Sequence, residues 1–440
     1  MAQQNELAAI VGKEWVRAGR DVQTFAIDDV CPSWLVYPGS VDELAAIMRC
    51  ARQREWIVVP AGFGAGLGLG NRLSRVDIVV STQRLNQILE YTPEDLTAAV
   101  QAGCSLASFN AVLQEHGQWL PLDPPQPERA SLGAIAATAD FGPLRLGFGL
   151  PRDYVIGMQV VQPDGTVIKS GGRVVKNVAG YDLNKLFVGS LGTLGIIAQL
   201  NLKLRPLPPA DATCSVQADT LEALDDLIRL VAASELLPAA LVSCSADTAE
   251  HVWPDCSHSG WLCLIRFLDA EAAVAYQLTR LHELARTSAV RCEQLEASRA
   301  HMIWQRIRDL RAAPAANLVL RLHVRPSDVS RLFSLVGNCL AEGCDQVLLC
   351  SYNRVGAMIA CARSEPTVAI QSNLCDRLHQ LRRQCQMMDG SMIIERAPTN
   401  IKQAIDVWGE VGSSIGLMRS LKQQFDPKRI LNPGRFVGGI

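Results

Sequence analysis

The stretch Pro60-Ala61-Gly62-Phe63-Gly64-Ala65-Gly66-Leu67-Gly68-Leu69-Gly70-Asn71 carries five glycines and no acidic side chain. It lies between Trp56 to Pro60 and Val76 to Val80, two short apolar runs that read as strands. Glycine lets backbone N–H groups approach an anion without side-chain obstruction, so this strand, loop and strand has the geometry of a pyrophosphate cradle; a flexible turn fits the same composition. The loop is not GxGxxG, because Leu67, Leu69 and Asn71 stand where the third glycine is required, and it lacks the Gly-Lys-Ser/Thr of a P-loop. A plain dinucleotide or nucleotide fingerprint is thereby disfavoured.

Upstream, Ser40-Val41-Asp42-Glu43 has the form of a capping box, and Leu44, Ile47 and Met48 follow at helical spacing. Downstream, Leu96 to Ala102 reads as a strand, Ser105 to His116 as a helix, and Tyr154 to Gln162 as a strand that turns at Pro163-Asp164-Gly165 and returns through Thr166 to Lys169. Thr193 to Leu204 reads as a long apolar strand. Pro206-Leu207-Pro208-Pro209 then breaks the pattern, which predicts a domain boundary. Beyond it, strand-like segments (Trp261 to Phe267, Leu318 to Val324, Gln346 to Tyr352) alternate with amphipathic helices (Leu221 to Ala232, Ala270 to Ala285, Val329 to Ala341). This predicts an open antiparallel sheet with helices on one face. No internal repeat stands out. The turn-rich tail, Phe425 to Arg435, returns to the style of the first half.

Two further segments point to an extended ligand. Ser131-Leu132-Gly133-Ala134-Ile135-Ala136-Ala137 is a run of small residues that lets a helix end sit close to a bulky ligand, or pack tightly against protein. From Asn177 to Ile196, Gly180, Gly189, Gly192 and Gly195 interrupt an otherwise apolar segment, a placement that needs a steric reason.

A chain of 440 residues predicts two domains or one with a large insertion. Hydrophobic residues at 48% against 20% charged exclude a disordered chain, and a formal charge of -2 lacks the basic excess of a nucleic-acid or acidic-membrane binder. The opening MAQQNELAAIVGKEW carries no secretory signal pattern, and no run has membrane-spanning length. The 14 cysteines contain no CxxC pair, and the densest group, Cys339, Cys344 and Cys350, reads as small buried hydrophobes. Reduced thiols and a cytoplasmic setting follow as expectations. The seven histidines show no HExxH and no pair at helical spacing, so no metal site is expected.

The segment Gly171 to Leu183, continued by Lys185-Leu186-Phe187-Val188-Gly189-Ser190-Leu191-Gly192-Thr193-Leu194-Gly195, resembles the FAD-binding (E) subunits of bacterial glycolate oxidases. More broadly, the chain resembles the vanillyl-alcohol oxidase and p-cresol methylhydroxylase flavoprotein superfamily. The resemblance takes in Pro38 to Glu43, the Pro60 loop, most of Asp123 to Pro208 and Asn432-Pro433-Gly434, and matches the middle of the chain weakly. It implies an α+β fold: a PCMH-type FAD-binding domain of two subdomains over 1–209, a ferredoxin-like α+β cap or substrate domain over 210–395, and a C-terminal segment, 396–440, returning to the FAD-binding domain. The family's Pro-x-Gly-Gly-Gly-Thr loop falls on Pro60 to Ala65, so the backbone at Gly62, Gly64 and Gly66 would hold the pyrophosphate; here Phe63 replaces a glycine and Ala65 the threonine. Ala-Thr-Leu-Gly-Gly falls on Ala130 to Ala134, keeping a hydroxyl at Ser131 and Gly133 but placing Ala134 where the second glycine stands. Gly189, Ser190, Gly192 and Gly195 would lie along the flavin, Ile196 or Ile197 would offer backbone contacts, and Asn432 would close the site.

The implied function is oxidation of glycolate or a similar 2-hydroxy acid within a complex. Its partners are a second FAD-linked subunit and an iron-sulfur subunit, since this chain has no iron-sulfur cysteine framework. A stand-alone FAD-linked dehydrogenase and a non-catalytic FAD-containing assembly subunit are the alternatives. Related dehydrogenases carry a metal-binding histidine cluster that is missing here, and no catalytic residue is assigned. Trp304 and Arg308 offer a candidate substrate cation or an ion-pairing helix face, and His301 and His323 are each a candidate base or a lone surface or core histidine. Arg173 and Lys176 read as phosphate contacts or solvated charges, and Tyr181-Asp182 as a loop brace. Nothing around Cys104 favours a reactive thiolate, so FAD is expected to be noncovalent. Any membrane association is expected to be peripheral, at the inner membrane, through partner subunits.

Overall fold

The computed structural model describes residues 2–172, 182–256, 260–364 and 368–440. Arg173, Lys176, Gly180 and Tyr181 lie outside the described residues. The chain forms two compact units: Met1–Phe141, Leu150–Leu207 and Glu410–Ile440 make the first, and Gly142–Gly149 with Pro208–Gly409 the second. The main crossing falls at Leu207/Pro208, within the proline run. The return falls at Glu410, later than 396, because Ile401, Ile405 and Val407 are buried in the second unit's core.

The first unit contains two sheets. One holds β1 (Val16–Ala18), β2 (Trp34–Val36), β3 (Val58–Ala61) and β4 (Ile78–Ser81) in the order β1-β2-β4-β3, with β2, β4 and β3 parallel. Helix Val41–Arg54 makes the crossover from β2 to β3. Its start is set by Ser40, whose hydroxyl accepts from Glu43 N at 3.1 Å while the Glu43 carboxylate accepts from Gly39 N at 2.7 Å. Leu44, Ile47 and Met48 are fully buried along one face, as the spacing predicts.

The other sheet is antiparallel and comprises β5 (Ile88–Thr92), β6 (Thr97–Gln101), β8 (Val155–Val161), β9 (Val167–Gly171) and β10 (Ile196–Lys203), ordered β5-β6-β10-β8-β9. Two-residue strands β7 (Gln118–Trp119) and β11 (Arg205–Pro206) pair beside it. Strand β10 serves two cores. Ile196 and Ala198 face the core of helix Val41–Arg54, whereas Ile197, Leu200 and Leu202 face a second core built with Phe109, Leu132 and Phe187. The phase change follows a register shift between Ile197 and Gln199, the signature of a bulge.

The second unit is one eight-stranded antiparallel sheet: β12 (Ala210–Ala218), β13 (Ala240–Cys244), β14 (Trp261–Asp269), β15 (Arg291–Gln294), β16 (Leu318–His323), β17 (Cys344–Tyr352), β18 (Ala357–Ser364) and β19 (Ser391–Arg396). The order β15-β12-β14-β13-β17-β18-β16-β19 resolves into two ferredoxin-like halves joined edge to edge by β13 and β17. Each half has its first strand between its third and fourth, so the fold contains a structural repeat that the sequence does not display. Helices Leu221–Ala233 and Glu271–Arg286 cover the first half, and Val329–Leu340 and Val368–Met387 the second. Helices are expected on one face only, but helix Ala297–Asp309 lies on the other. Cys214 and Val216 face the first helix pair, which turns Thr213 to the other side, where Trp304 of helix Ala297–Asp309 donates to its hydroxyl at 2.9 Å. Among the described residues, no helix is long and apolar enough to cross a membrane.

Candidate active site

In the first unit, the three glycine segments converge. Gly62 follows β3 against Ser131: a Cβ built on Gly62 would stand 2.1 Å from the Ser131 hydroxyl, so any larger residue must displace that side chain. Ser131 caps helix Leu132–Thr138, accepting from Ala134 N at 3.3 Å, and Gly133 packs on Ala102, to whose carbonyl its N–H donates at 2.7 Å. Gly192, at φ +64°, presses on Pro60, where a Cβ would lie 2.6 Å from Cγ. The Leu191 N–H donates to Ala137 O at 2.7 Å and that of Gly189 to Ala136 O at 2.9 Å, pinning the third segment on the helix of the second.

The tail ties these segments together. Asn432 donates through Nδ2 to Leu191 O at 2.6 Å and through its backbone to Val58 O at 3.0 Å. Buried Lys422 donates to Thr193 O and Leu431 O, each at 2.8 Å, and to the Asp426 carboxylate at 2.7 Å. Desolvation lowers the Lys422 pKa, and the attraction of Asp426 offsets only part of that effect. Arg435, also buried, donates to the carbonyls of Leu67 and Leu69 and fixes the far end of the glycine loop.

Pro60, Gly62, Ser131, Gly133, Ala134, Gly189, Ser190, Gly192 and Asn432 therefore lie on elements in mutual contact. Phe63 and Gly64 are half-buried, whereas Ala65 and Gly66 are exposed and a Cβ on Gly66 would meet nothing within 4 Å. Gly195 has a packing reason, since its Cβ would lie 2.5 Å from Val160, and the side chains of Ile196 and Ile197 fill the two cores. Two buried polar atoms, Ser190 Oγ and Asn432 Oδ1, have no hydrogen-bond partner among the described residues. Such atoms are costly unless a ligand satisfies them, so the cradle fits a polar cofactor. Cys104 is buried, and burial raises its thiol pKa, which agrees with an unreactive side chain.

The second unit holds a site of which the sequence pointed to His323 alone. Arg321 and His323 alternate with the core residues Leu320 and Leu322 on β16, so both point away from the helix face. A register shift between Val319 and Leu320 leaves Glu395 of β19 opposite no residue of β16. Its carboxylate ion-pairs with Arg311 at 3.2 Å and Arg321 at 3.1 Å, all three side chains being largely buried. Burial pushes the Glu395 pKa up, but the two guanidinium groups outweigh it and hold the carboxyl below its ordinary value. Arg145, from the Gly142–Gly149 excursion, is close enough to Arg321 that burial and then that charge lower its pKa. His323 is pushed down to about 4 by desolvation first and by Arg321 and Arg145 next. Two arginines thus share the Glu395 carboxylate, and a third, Arg145, adds its charge beside Arg321 and a neutral imidazole, a partly desolvated cationic setting.

The other residues the sequence offers for that role, Trp304, Arg308 and His301, lie elsewhere. Arg308 is occupied by neighbouring Asp309, with N···O distances of 3.0 and 2.9 Å, and Trp304 is core. His301 is exposed and bonds Gln305. The available signal was the alternation Leu320-Arg321-Leu322-His323, two cationic side chains on one face of an apolar strand.

A two-sheet glycine-cradle unit and a double ferredoxin-like unit together define a flavoprotein architecture. Family comparison matches residues 32–171 to the FAD binding domain and 408–436 to the C-terminal domain of FAD linked oxidases. These matches identify the chain as an FAD-linked oxidoreductase with FAD as its cofactor. It is 34% identical over 210 residues to glycolate oxidase subunit GlcD of Bacillus subtilis, an alignment spanning 48% of this chain and 45% of that one. It is 27% identical over 427 residues to D-2-hydroxyglutarate dehydrogenase of Xanthomonas citri pv. viticola, covering 92% of this chain and 89% of the relative. The fold matches the crystal structure of p-cresol methylhydroxylase with substrate bound at a TM-score of 0.77 and 16% identity, over 99% of this chain and 96% of that one.

Proposed function

We propose that this chain is the FAD-binding subunit of a glycolate oxidase type complex, taking glycolate or a similar 2-hydroxy acid to the 2-oxo acid and passing electrons to an iron-sulfur partner subunit beside a second FAD-linked subunit. The observation that carries the reading is the buried pair Arg311 and Arg321 on the carboxylate of Glu395, with half-buried Arg145 beside Arg321. Such a setting takes a small carboxylate with charge-assisted hydrogen bonds, and a planar guanidinium suits it better than an ammonium. In this reading the second unit is the substrate domain and the first the FAD-binding domain. Bound FAD would accept the two electrons of the substrate's C2–H bond as hydride, the hydroxyl proton going to a base.

Backbone N–H groups at Gly62, Gly64 and Gly66 would hold the pyrophosphate, and Ser190 Oγ and Asn432 Oδ1 are buried unpartnered atoms that a polar cofactor would satisfy. The arginines orient the acid through its carboxylate. His323, kept neutral at pH 7, presents an unprotonated nitrogen to the substrate hydroxyl. The two relatives named above are described as acting in glycolate and D-2-hydroxyglutarate oxidation, acids that share the 2-hydroxycarboxylate group. The complex is cytoplasmic, held at the inner membrane through partner subunits.

The test is the absorbance spectrum of the purified chain during anaerobic addition of glycolate and then D-lactate. Bleaching of the flavin bands by either acid is the expected result. A flavin that stays oxidised with both would move this chain to a relay or assembly role.

A further inference from the structure

Cys214 of β12, Cys292 of β15 and His282 of helix Glu271–Arg286 bring two sulfurs and an imidazole nitrogen within 4.8 Å of one another. None belongs to the cradle or to the arginine cluster. Their convergence is invisible to motif reading, because the ligands come from two strands and a helix without CxxC or HxxxH spacing.

The register explains why these thiols suit an ion better than each other. Strands β12 and β15 pair Cys214 with Gln294 and Val216 with Cys292, so the cysteines stand diagonally on one sheet face. Diagonal neighbours have Cβ atoms about 7 Å apart, beyond the roughly 3.5 to 4.5 Å that a disulfide spans. Their sulfur atoms nevertheless lie within 4.8 Å of each other, so the side chains lean together. Tetrahedral zinc holds sulfur at about 2.3 Å and nitrogen at about 2.0 Å, so its ligand atoms lie a little under 4 Å apart. A contraction of about 1 Å closes the group to that geometry.

The surroundings are also suitable. Cys214 is fully buried against Val216, Leu281 and Ala285, whereas Cys292 and His282 are half-buried, giving a dry back wall and a route in from solvent. Two sulfurs and one imidazole favour a thiophilic ion over magnesium or calcium, which take oxygen ligands.

We propose that Cys214, His282 and Cys292 form a three-ligand site for Zn2+, with water as the fourth ligand. Its place in the fold makes the role structural. Strand β15 is a four-residue edge strand, and the ion would fasten it and helix Glu271–Arg286 to β12.

The test uses the full chain, reduced with a non-thiol reductant and titrated with Co2+ as a spectroscopic stand-in for Zn2+. The expected result is one equivalent bound, with tetrahedral ligand-field bands in the red, beyond the flavin absorption, that Zn2+ abolishes. His282→Ala and Cys292→Ser, both at half-buried positions, should each weaken binding by at least the tenfold that even an outer partner contributes. Exposed Cys31→Ser should leave the bands intact. Absence of the bands, or bands that survive the His282→Ala and Cys292→Ser changes together, overturns the proposal.

Discussion

Asn432 Nδ2 donates to the carbonyl of Leu191 over 2.6 Å, a bond spanning 241 residues that draws the chain's end onto its third glycine segment. Asn432 also sits at φ 45°, a left-handed conformation that asparagine tolerates better than most residues. Asn432→Ala removes the donor, leaves Leu191 O without that bond and adds backbone strain. We expect a loss of about 1–3 kcal/mol in stability and release of FAD during gel filtration. Thermal melts with and without added FAD measure both, and an Asn432→Ala chain that melts and retains flavin like the parent contradicts the assignment.

Gly62 and Gly66 separate packing from phosphate contact. A Cβ on Gly62 would overlap the Ser131 hydroxyl, whereas one on Gly66 would meet nothing within 4 Å. Gly62→Ala should therefore destabilise by about 1–3 kcal/mol through overpacking and abolish flavin retention. Gly66→Ala should fold with an unchanged melting temperature, so any weakening of FAD affinity, read by quenching of flavin fluorescence, isolates an effect on the ligand. Equal behaviour of the two variants would rule out this division of roles.

The first unit was legible because its signals are local. The Ser40 capping box, the Pro163-Asp164-Gly165 turn and the small residues after Ser131 each dictate a nearby conformation, and the structure has a helix, a hairpin and a capped helix there. What the sequence concealed depends on register. The arginine cluster needs β16 and β19 to pair with a shift beside Glu395, and the Cys214 group needs β15 to lie on β12. Neither pairing leaves a mark in a single strand. The double ferredoxin-like repeat was hidden for a related reason: each half conserves strand order rather than residue pattern.

His323 gives the fold an acid-side liability. Its pKa is about 4 in the folded chain against an ordinary 6.5, so between those values the unfolded chain binds the extra proton. Stability should therefore be fully present above pH 6.5 and fall as the pH drops toward 4, by up to about 3 kcal/mol from this one group. Urea titrations at pH 7.5 and 4.5 measure the difference, and His323→Asn should shrink it. An unchanged difference in the variant would show that other groups cause the acid loss.

Arg321 offers the sharpest test of the substrate site, because the flavin spectrum reports separately on the first unit. Removing one arginine leaves Arg311 paired with Glu395, so the fold should survive. Arg321→Met should bind FAD with an unaltered spectrum yet need at least tenfold more 2-hydroxy acid for half-bleaching, equivalent to about 1.4 kcal/mol of lost binding. Arg321→Lys keeps the charge but loses the planar fork, and should fall between the two. Arg308→Met is the control, because Arg308 is already committed to Asp309. If Arg308→Met raises the half-bleaching concentration as much as Arg321→Met does, charge on the unit as a whole, not this cluster, attracts the acid. If neither variant changes it, the carboxylate is held elsewhere and the assignment of the cluster fails.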